Sequence, residues 1–369
     1  MRPAMHVVHA RAVTDVDALA VPPIQVPVDD VCDLSSRFPE ANLRPLTLVR
    51  ARELDQGADS SGRARVRVWL ALESLQVTGS FKVRGALTAL AEARRAHGPK
   101  VRVVAASAGN HGAGVAYAAG ALGIAASVVM PEGAPLAKRS RVIRYGAELV
   151  QVPSPHYDDA EAHALALAKE TGAVFLSPYD DAFVAAGNGG SLGFEIARAL
   201  GRVPDVVLCP FGGGGLAAGL GWAFDHALGG GAPHPRRVWG VQSEASPAMA
   251  LSLTSGTAVT RLEAPGETLA EGLEGGISVS GFARARGAVG GVIVVSEGAI
   301  GAAMAFAFRG LGLVLEGSAA TSLVPILGGI PEAVLAAEHD APTSRDVVAV
   351  LTGRNVDRER LLRLPLTED

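Results

Sequence analysis

From Val66 to Leu351 the sequence keeps one rhythm: a short apolar run, a turn of small residues, then a longer amphipathic stretch. The apolar runs are Val66–Leu72, Val101–Ala105, Ala125–Met130, Glu148–Val152, Val206–Pro210, Val238–Gln242, Val292–Ser296 and Val347–Leu351. The stretches between them predict helices over Phe81–Arg95, Asn110–Gly120, Pro135–Tyr145, Tyr157–Thr171, Leu216–Leu228 and Glu297–Leu311. Strands without polar alternation are buried on both faces, so the rhythm predicts parallel sheets sandwiched between helices. In such folds ligands bind beyond the carboxyl ends of the strands. The residues just after each run are therefore the ones to inspect.

Composition narrows the field. A chain of 369 residues with 49 % hydrophobic and 19 % charged residues is globular and long enough for two lobes. Its net charge of -4 leaves no basic surplus for a phosphate backbone, so no nucleic-acid partner is expected. Residues 103–131 and 206–224 are apolar, but glycine and proline interrupt them (Gly109, Gly112, Gly120; Pro210, Gly212), so no membrane span is expected. The two cysteines, Cys32 and Cys209, cannot build a disulfide framework or a cysteine metal site. With no cationic start leading into an apolar run, a cytoplasmic protein is expected. Residues 1–43 read as irregular, 57–62 as a polar insert, and Gly229-Gly230-Gly231 as a flexible loop.

Four turns carry candidate chemistry. Thr78-Gly79-Ser80-Phe81-Lys82 follows the first strand, with Ser80 placed to cap the helix. A lysine in a first helical turn meets the positive end of the helix, which favours the free amine. Taken alone, a surface lysine is the plainer reading. Ser107-Ala108-Gly109-Asn110-His111 offers free N–H groups at a helix start, suited to a carboxylate, with Asn110 and His111 as side-chain donors. A simple capped turn explains it equally well. Gly212-Gly213-Gly214-Gly215 lets backbone N–H groups converge on a phosphate. Gly213, Gly215 and Ala218 also fit G-x-G-x-x-A, and Glu244 follows the next strand, so a nicotinamide-dependent dehydrogenase stands as an alternative. Thr352, after the last strand, could meet a ring nitrogen or merely close its own turn. Glu316-Gly317-Ser318-Ala319-Ala320 could form a wall of the same cleft, but a helix cap with a small-residue packing face is the preferred reading. His6, His9, His163, His226 and His234 show no metal-ligand spacing and read as surface residues.

Taken together and in order, these motifs resemble the fold-type-II pyridoxal-phosphate enzymes, which include threonine and serine dehydratases, serine racemase, cysteine synthase and threonine synthase. The likeness spans about Pro45 to Leu364 and extends to Met130-Pro131, Ala134-Pro135, Lys138 and Tyr145-Gly146-Ala147. It implies an α/β fold like the tryptophan synthase β-subunit, with two open twisted sheets and flanking helices. It implies a large cofactor-binding domain from residues 1–94 and 182–369, and a small mobile domain from 95–181. It also implies roles. Lys82 forms the Schiff base with pyridoxal 5'-phosphate, Phe81 lies beside the ring, and Asn110 bonds the ring hydroxyl. Gly212, Gly213, Gly214 and Gly215 cradle the phosphate, and Thr352 meets the pyridine nitrogen. Ser80, Ser107, Ala108, Gly109, Asn110 and His111 receive the amino-acid substrate.

His111 resembles the dehydratase and racemase branch, where synthases usually carry threonine. Ala108 stands where the racemase has a serine that protonates the second face of the carbanion, which favours elimination. The expectation is a lyase acting on a β-hydroxy amino acid such as L-threonine or L-serine. Elimination yields a 2-oxo acid and ammonia. A β-replacement synthase of the same fold is the alternative within the class. A neutral hydroxyl at the pyridine nitrogen, as Thr352 would supply, weakens the electron sink and favours early loss of a β-substituent. The family's divalent-ion glutamate aligns with Gln242, so no metal is expected. Gly187-Asn188-Gly189-Gly190-Ser191 departs from the family's Gly-Gln-Gly-Thr and is expected to border the substrate. A homodimer is expected.

Overall fold

The computed structural model describes residues 5–10, 24–58, 64–229, 236–263, 266–336 and 344–364. Most of the 57–62 insert, Gly230, Gly231 and His234 lie outside these residues. The strands are β1 (Met5–His9), β2 (Leu48–Arg50), β3 (Gln56–Ala58), β4 (Ala64–Ala71), β5 (Arg102–Ala106), β6 (Ala125–Pro131), β7 (Glu148–Val152), β8 (Val174–Phe175), β9 (Val206–Pro210), β10 (Val238–Ser243), β11 (Val289–Val295) and β12 (Arg345–Val350). They form two sheets. The larger runs β1-β11-β10-β9-β12-β4-β2, with β3 also on β4, and the smaller runs β7-β6-β5-β8. Every pairing among β4 to β12 is parallel, and only β1, β2 and β3 join antiparallel. The apolar runs thus behave as the sequence predicts, and the α/β class with two open sheets holds.

The N-terminal region differs from its irregular reading. Met5–His9 pairs with Val295–Gly291 and extends the large sheet at its edge. Five residues carry too little alternation to reveal a strand, and the neighbouring β11 supplies the pattern that they complete. Among the described residues, the helices Ser191–Leu200, Ala248–Ser255 and Val279–Arg286 and several shorter ones also escape the strand–helix rhythm.

The strands of the small sheet all fall between residues 102 and 175. The helix Lys82–His97 packs with them: Val83, Leu87 and Leu90 share an apolar cluster with Val103 and Val128. Lys82 therefore begins a helix whose buried face belongs to the small sheet, while the turn before it belongs to the large one.

Candidate active site

Parallel order explains why distant motifs meet. β9, β12 and β4 are neighbours, so the chain leaving each carboxyl end enters one crevice. The segments after β4 and β12 are joined by backbone bonds from Ser74 N to Leu351 O (2.8 Å), Phe81 N to Thr352 O (3.0 Å) and Arg354 N to Gly79 O (2.9 Å). Thr352 is thereby buried beside the turn that carries Lys82. Ser80 does not cap the helix. Its backbone bridges to Gly353, Phe81 takes the N-cap position, and the buried Ser80 hydroxyl has no hydrogen-bond partner. The backbone pairing holds Ser80 extended and turns its side chain away from the helix end.

Lys82 opens the helix, its Nζ 5.2 Å from the centroid of the Phe81 ring. Burial brings the ammonium down to about 8, against the opposing charge of Glu316. Across the crevice, the helix Asn110–Leu122 crosses the Lys82 turn so closely that a Cβ on Gly114 would lie 3.0 Å from the Lys82 carbonyl oxygen. Asn110 donates from Nδ2 to Glu316 Oε1 (2.7 Å) and accepts from Asn355 Nδ2 (2.6 Å), while Asn355 N donates to Glu316 Oε2 (3.1 Å). Three chain segments therefore fix the Asn110 amide.

Glu316 and Asn355 enter the site from tertiary structure. The sequence reading of Glu316 as a cap is not realised, because its side chain makes no capping bond and reaches Asn110 and Asn355 instead. Burial raises its carboxyl above the ordinary range, although bonds from Asn110 and Asn355 oppose this. One sequence signal was available: Glu316 is the sole charged residue between Arg309 and Glu332.

His111 also departs from its reading as a side-chain donor to a carboxylate. Its Nε2 lies 3.1 Å from Leu176 O, and that partner requires Nε2 to carry the proton. Burial and the Lys82 charge bring the imidazole down to about 3, so the ring is neutral and Nδ1 is a buried acceptor without a partner. Gly109 N likewise bonds Ser107 Oγ (3.1 Å). Ser107 and Gly109 thus brace the turn, and Ala108 presents only a methyl group.

The glycine run begins after β9 and ends at the helix Gly215–Ala227. Gly214 has φ +86°, and a Cβ on Gly213 would lie 2.1 Å from Tyr179 Cδ1. Both positions exclude larger residues. Successive backbone N–H groups at a helix start suit a phosphate. A glycine turn suited to a phosphate, a lysine amine held partly free, a fixed amide and a buried hydroxyl lie on turns after adjacent strands or packed against them, and this donor set fits a phosphorylated aldehyde.

Other expectations land elsewhere. Asn188 lies in a π-helical turn, Ala186–Gly190, and accepts from Gly85 N (3.0 Å). A Cβ on Gly187 would meet Thr88 Oγ1 at 2.4 Å and one on Gly189 would meet Leu216 O at 2.1 Å. The altered motif packs the Lys82 helix against the helix that follows the cradle. Gln242 donates to Phe211 O (3.1 Å) and accepts from Ala250 N (3.0 Å), so its amide is committed to the fold. Glu244 accepts from Glu297 N (3.2 Å). No cluster of three metal-ligating side chains occurs among the described residues.

Residues 42–353 match the family described as pyridoxal-phosphate dependent enzyme. The chain belongs to that family. It is 36 % identical over 325 residues to L-threonine ammonia-lyase of Geobacter sulfurreducens, covering 86 % of this chain and 74 % of that protein. It is 35 % identical over 311 residues to the catabolic L-threonine dehydratase TdcB of Escherichia coli, covering 82 % and 87 %. The crystal structure of threonine deaminase from T.th. superposes with a TM-score of 0.73 at 34 % identity, covering 90 % of this chain and 99 % of that one. The expected family, fold and cofactor are borne out, and the nicotinamide alternative falls. This is a pyridoxal-phosphate-dependent, threonine ammonia-lyase-like enzyme.

Proposed function

We propose that the enzyme eliminates water from a β-hydroxy amino acid, L-threonine or L-serine, to give a 2-oxo acid and ammonia. The observation that carries this reading is the half-buried Lys82 amine at the start of a helix, near enough to His111 for its charge to lower that imidazole, with Ala108 in the same turn as His111 and without a proton to give. Bound pyridoxal phosphate supplies the electron sink that acidifies the α-carbon. The Gly212–Gly215 backbone holds its phosphate, Asn110 bonds its ring hydroxyl, and Thr352 offers a neutral hydroxyl to its ring nitrogen. Phe81 packs beside the ring. N–H groups at the start of the Asn110–Leu122 helix, from Asn110 and His111, hold the substrate carboxylate, while Ser107, Ala108 and Gly109 shape the turn and Ser80 lines the same side. Lys82 Nζ takes the α-proton. The β-hydroxyl leaves as water, so that the α-proton and the hydroxyl together account for the one water lost, and hydrolysis of the released enamine takes up a water and frees ammonia. Incubation with L-threonine and L-serine, assayed for 2-oxo acid and ammonia, tests the reading; accumulation of a D-amino acid or of a thiol adduct in place of 2-oxo acid would replace it.

Two further expectations belong here. The reading includes a cytoplasmic homodimer in which residues 95–181 move as the small domain. Cys32 and Cys209 are both free thiols, and no helix among the described residues is long and apolar enough to cross a membrane. Light scattering checks the dimer.

The Lys82 environment sets a pH dependence. Only the free amine condenses with an aldehyde. Below a pH of about 8 the amine is protonated, so cofactor capture by the stripped enzyme is expected to fall about tenfold per pH unit, and above it to level off. Stopped-flow absorbance measures this, and a midpoint near the ordinary lysine value would refute it.

Ala108→Ser is expected to add racemisation, because its hydroxyl can return a proton to the face opposite Lys82. A rate ratio of ten between the two exits needs only about 1.4 kcal/mol. Chiral analysis of residual serine should show D-serine in the variant and none in the wild type.

A further inference from the structure

We propose that Tyr179 and Asp180 are positioning residues for the cofactor phosphate, holding the glycine cradle in shape from outside. The proposal rests on the reading of Gly212–Gly215 as the phosphate site.

Four consecutive glycines have the greatest backbone freedom to lose, so their surroundings must order them. Two surfaces do so. The Tyr179 ring packs on Gly213, where a Cβ would be 2.1 Å from Cδ1. The helix Val279–Arg286 packs on the other side: a Cβ on Gly214 would lie 2.8 Å from Ala285 Cβ, and one on Gly281 would lie 2.8 Å from Gly213 O.

These two surfaces are clasped together. Asp180 Oδ1 accepts from Ser278 Oγ (2.6 Å) and from Ser280 Oγ. Arg284 donates to the carbonyls of Tyr179 (3.3 Å) and Asp180 (3.2 Å). Ser278 Oγ also accepts from Gly281 N (3.0 Å), so one hydroxyl caps the helix and joins the clasp. Residues 176–181 carry the chain from β8 back towards the large sheet. The clasp therefore ties the grip on the phosphate to the exit from the small sheet. The phenol of Tyr179 is pushed up to about 12 by burial, with Glu161 and Asp180 adding to the rise, so it stays neutral beside a phosphate. Its ring does the packing, and the hydroxyl is not required.

The test titrates the full chain, stripped of cofactor, with pyridoxal phosphate and with pyridoxal, reading absorbance and fluorescence. Tyr179→Ala and Asp180→Ala should each weaken pyridoxal phosphate binding by about tenfold, about 1.4 kcal/mol, and leave pyridoxal binding unchanged. Tyr179→Phe should bind both as the wild type does. Wild-type affinity for pyridoxal phosphate in both alanine variants, equal losses for the two ligands, or a loss in Tyr179→Phe as large as in Tyr179→Ala would overturn the proposal. Gly214→Ala checks the cradle separately, since alanine is strained at φ +86°. If it loses the preference for the phosphorylated ligand while the alanine variants keep it, the positioning role alone fails. If Gly214→Ala also keeps that preference, the cradle reading fails and the proposal with it.

Discussion

Lys82→Ala is expected to yield a folded, colourless protein whose turnover is at background. On the proposed function, the substitution removes both the amine that would anchor the cofactor and the base that would take the α-proton. Loss of a positioned base alone costs about 10²–10⁴-fold, and loss of the anchor adds to it. Folding should survive, because the Lys82 backbone stays braced by Gly114 and by the bonds between the segments after β4 and β12. Removing a partly desolvated ammonium whose acidity burial has already raised leaves no uncompensated charge of opposite sign in hydrogen-bond contact. The measurements are 2-oxo acid release, near-visible absorbance after purification, and circular dichroism. Turnover within about tenfold of the wild type would remove Lys82 from the mechanism.

Arg84→Met should be the most damaging substitution to stability. Arg84 is fully buried, two residues beyond Lys82 on the same helix. Its Nε and NH2 donate to the two oxygens of Glu73 (2.8 and 2.9 Å), and NH1 donates to Glu195 Oε1 (2.6 Å). Glu73 is also wholly buried, and Glu195 is nearly so. Burial opposes the guanidinium charge, yet the two carboxylates outweigh it and hold the group charged well above its ordinary range. Methionine keeps most of the volume but strands two carboxylates. Breaking a buried pair this way costs about 3–5 kcal/mol. A lower urea midpoint at unchanged slope is expected, with partial recovery when Glu73→Gln is added. Recovery should be incomplete, because Glu195 still lacks its cation and keeps only the bond from Leu46 N to its Oε2 (2.7 Å). A midpoint equal to that of the wild type would show that the cluster is not holding the Lys82 helix.

The two sites illustrate different degrees of legibility. The candidate motifs at Lys82 and Gly212–Gly215 rest on local signals: a lysine at a helix start after a strand, which taken alone also fits a surface lysine, and a glycine run suited to a close backbone approach. Arg84 lies within the same motif, yet nothing local distinguishes a buried arginine from an exposed one. Its partners stand 11 and 111 residues away.

By itself, the sequence determined the alternation of strand and helix, the parallel α/β class and the turns proposed to carry chemistry. Each depends on side-chain periodicity or glycine content within a few residues, which the backbone converts directly into local structure. The tertiary structure decided which side chains complete those turns. It moved Glu316 from a cap to the Asn110 amide, 206 residues away in sequence, and committed the His111 ring to Leu176 O, 65 residues away. It left the Ser80 hydroxyl unpartnered by pairing its backbone with Gly353, and it set Tyr179 against Gly213. A side-chain hydrogen bond depends on separations of a few tenths of an ångström, and only the packing of the helices and turns around the two sheets sets distances that fine.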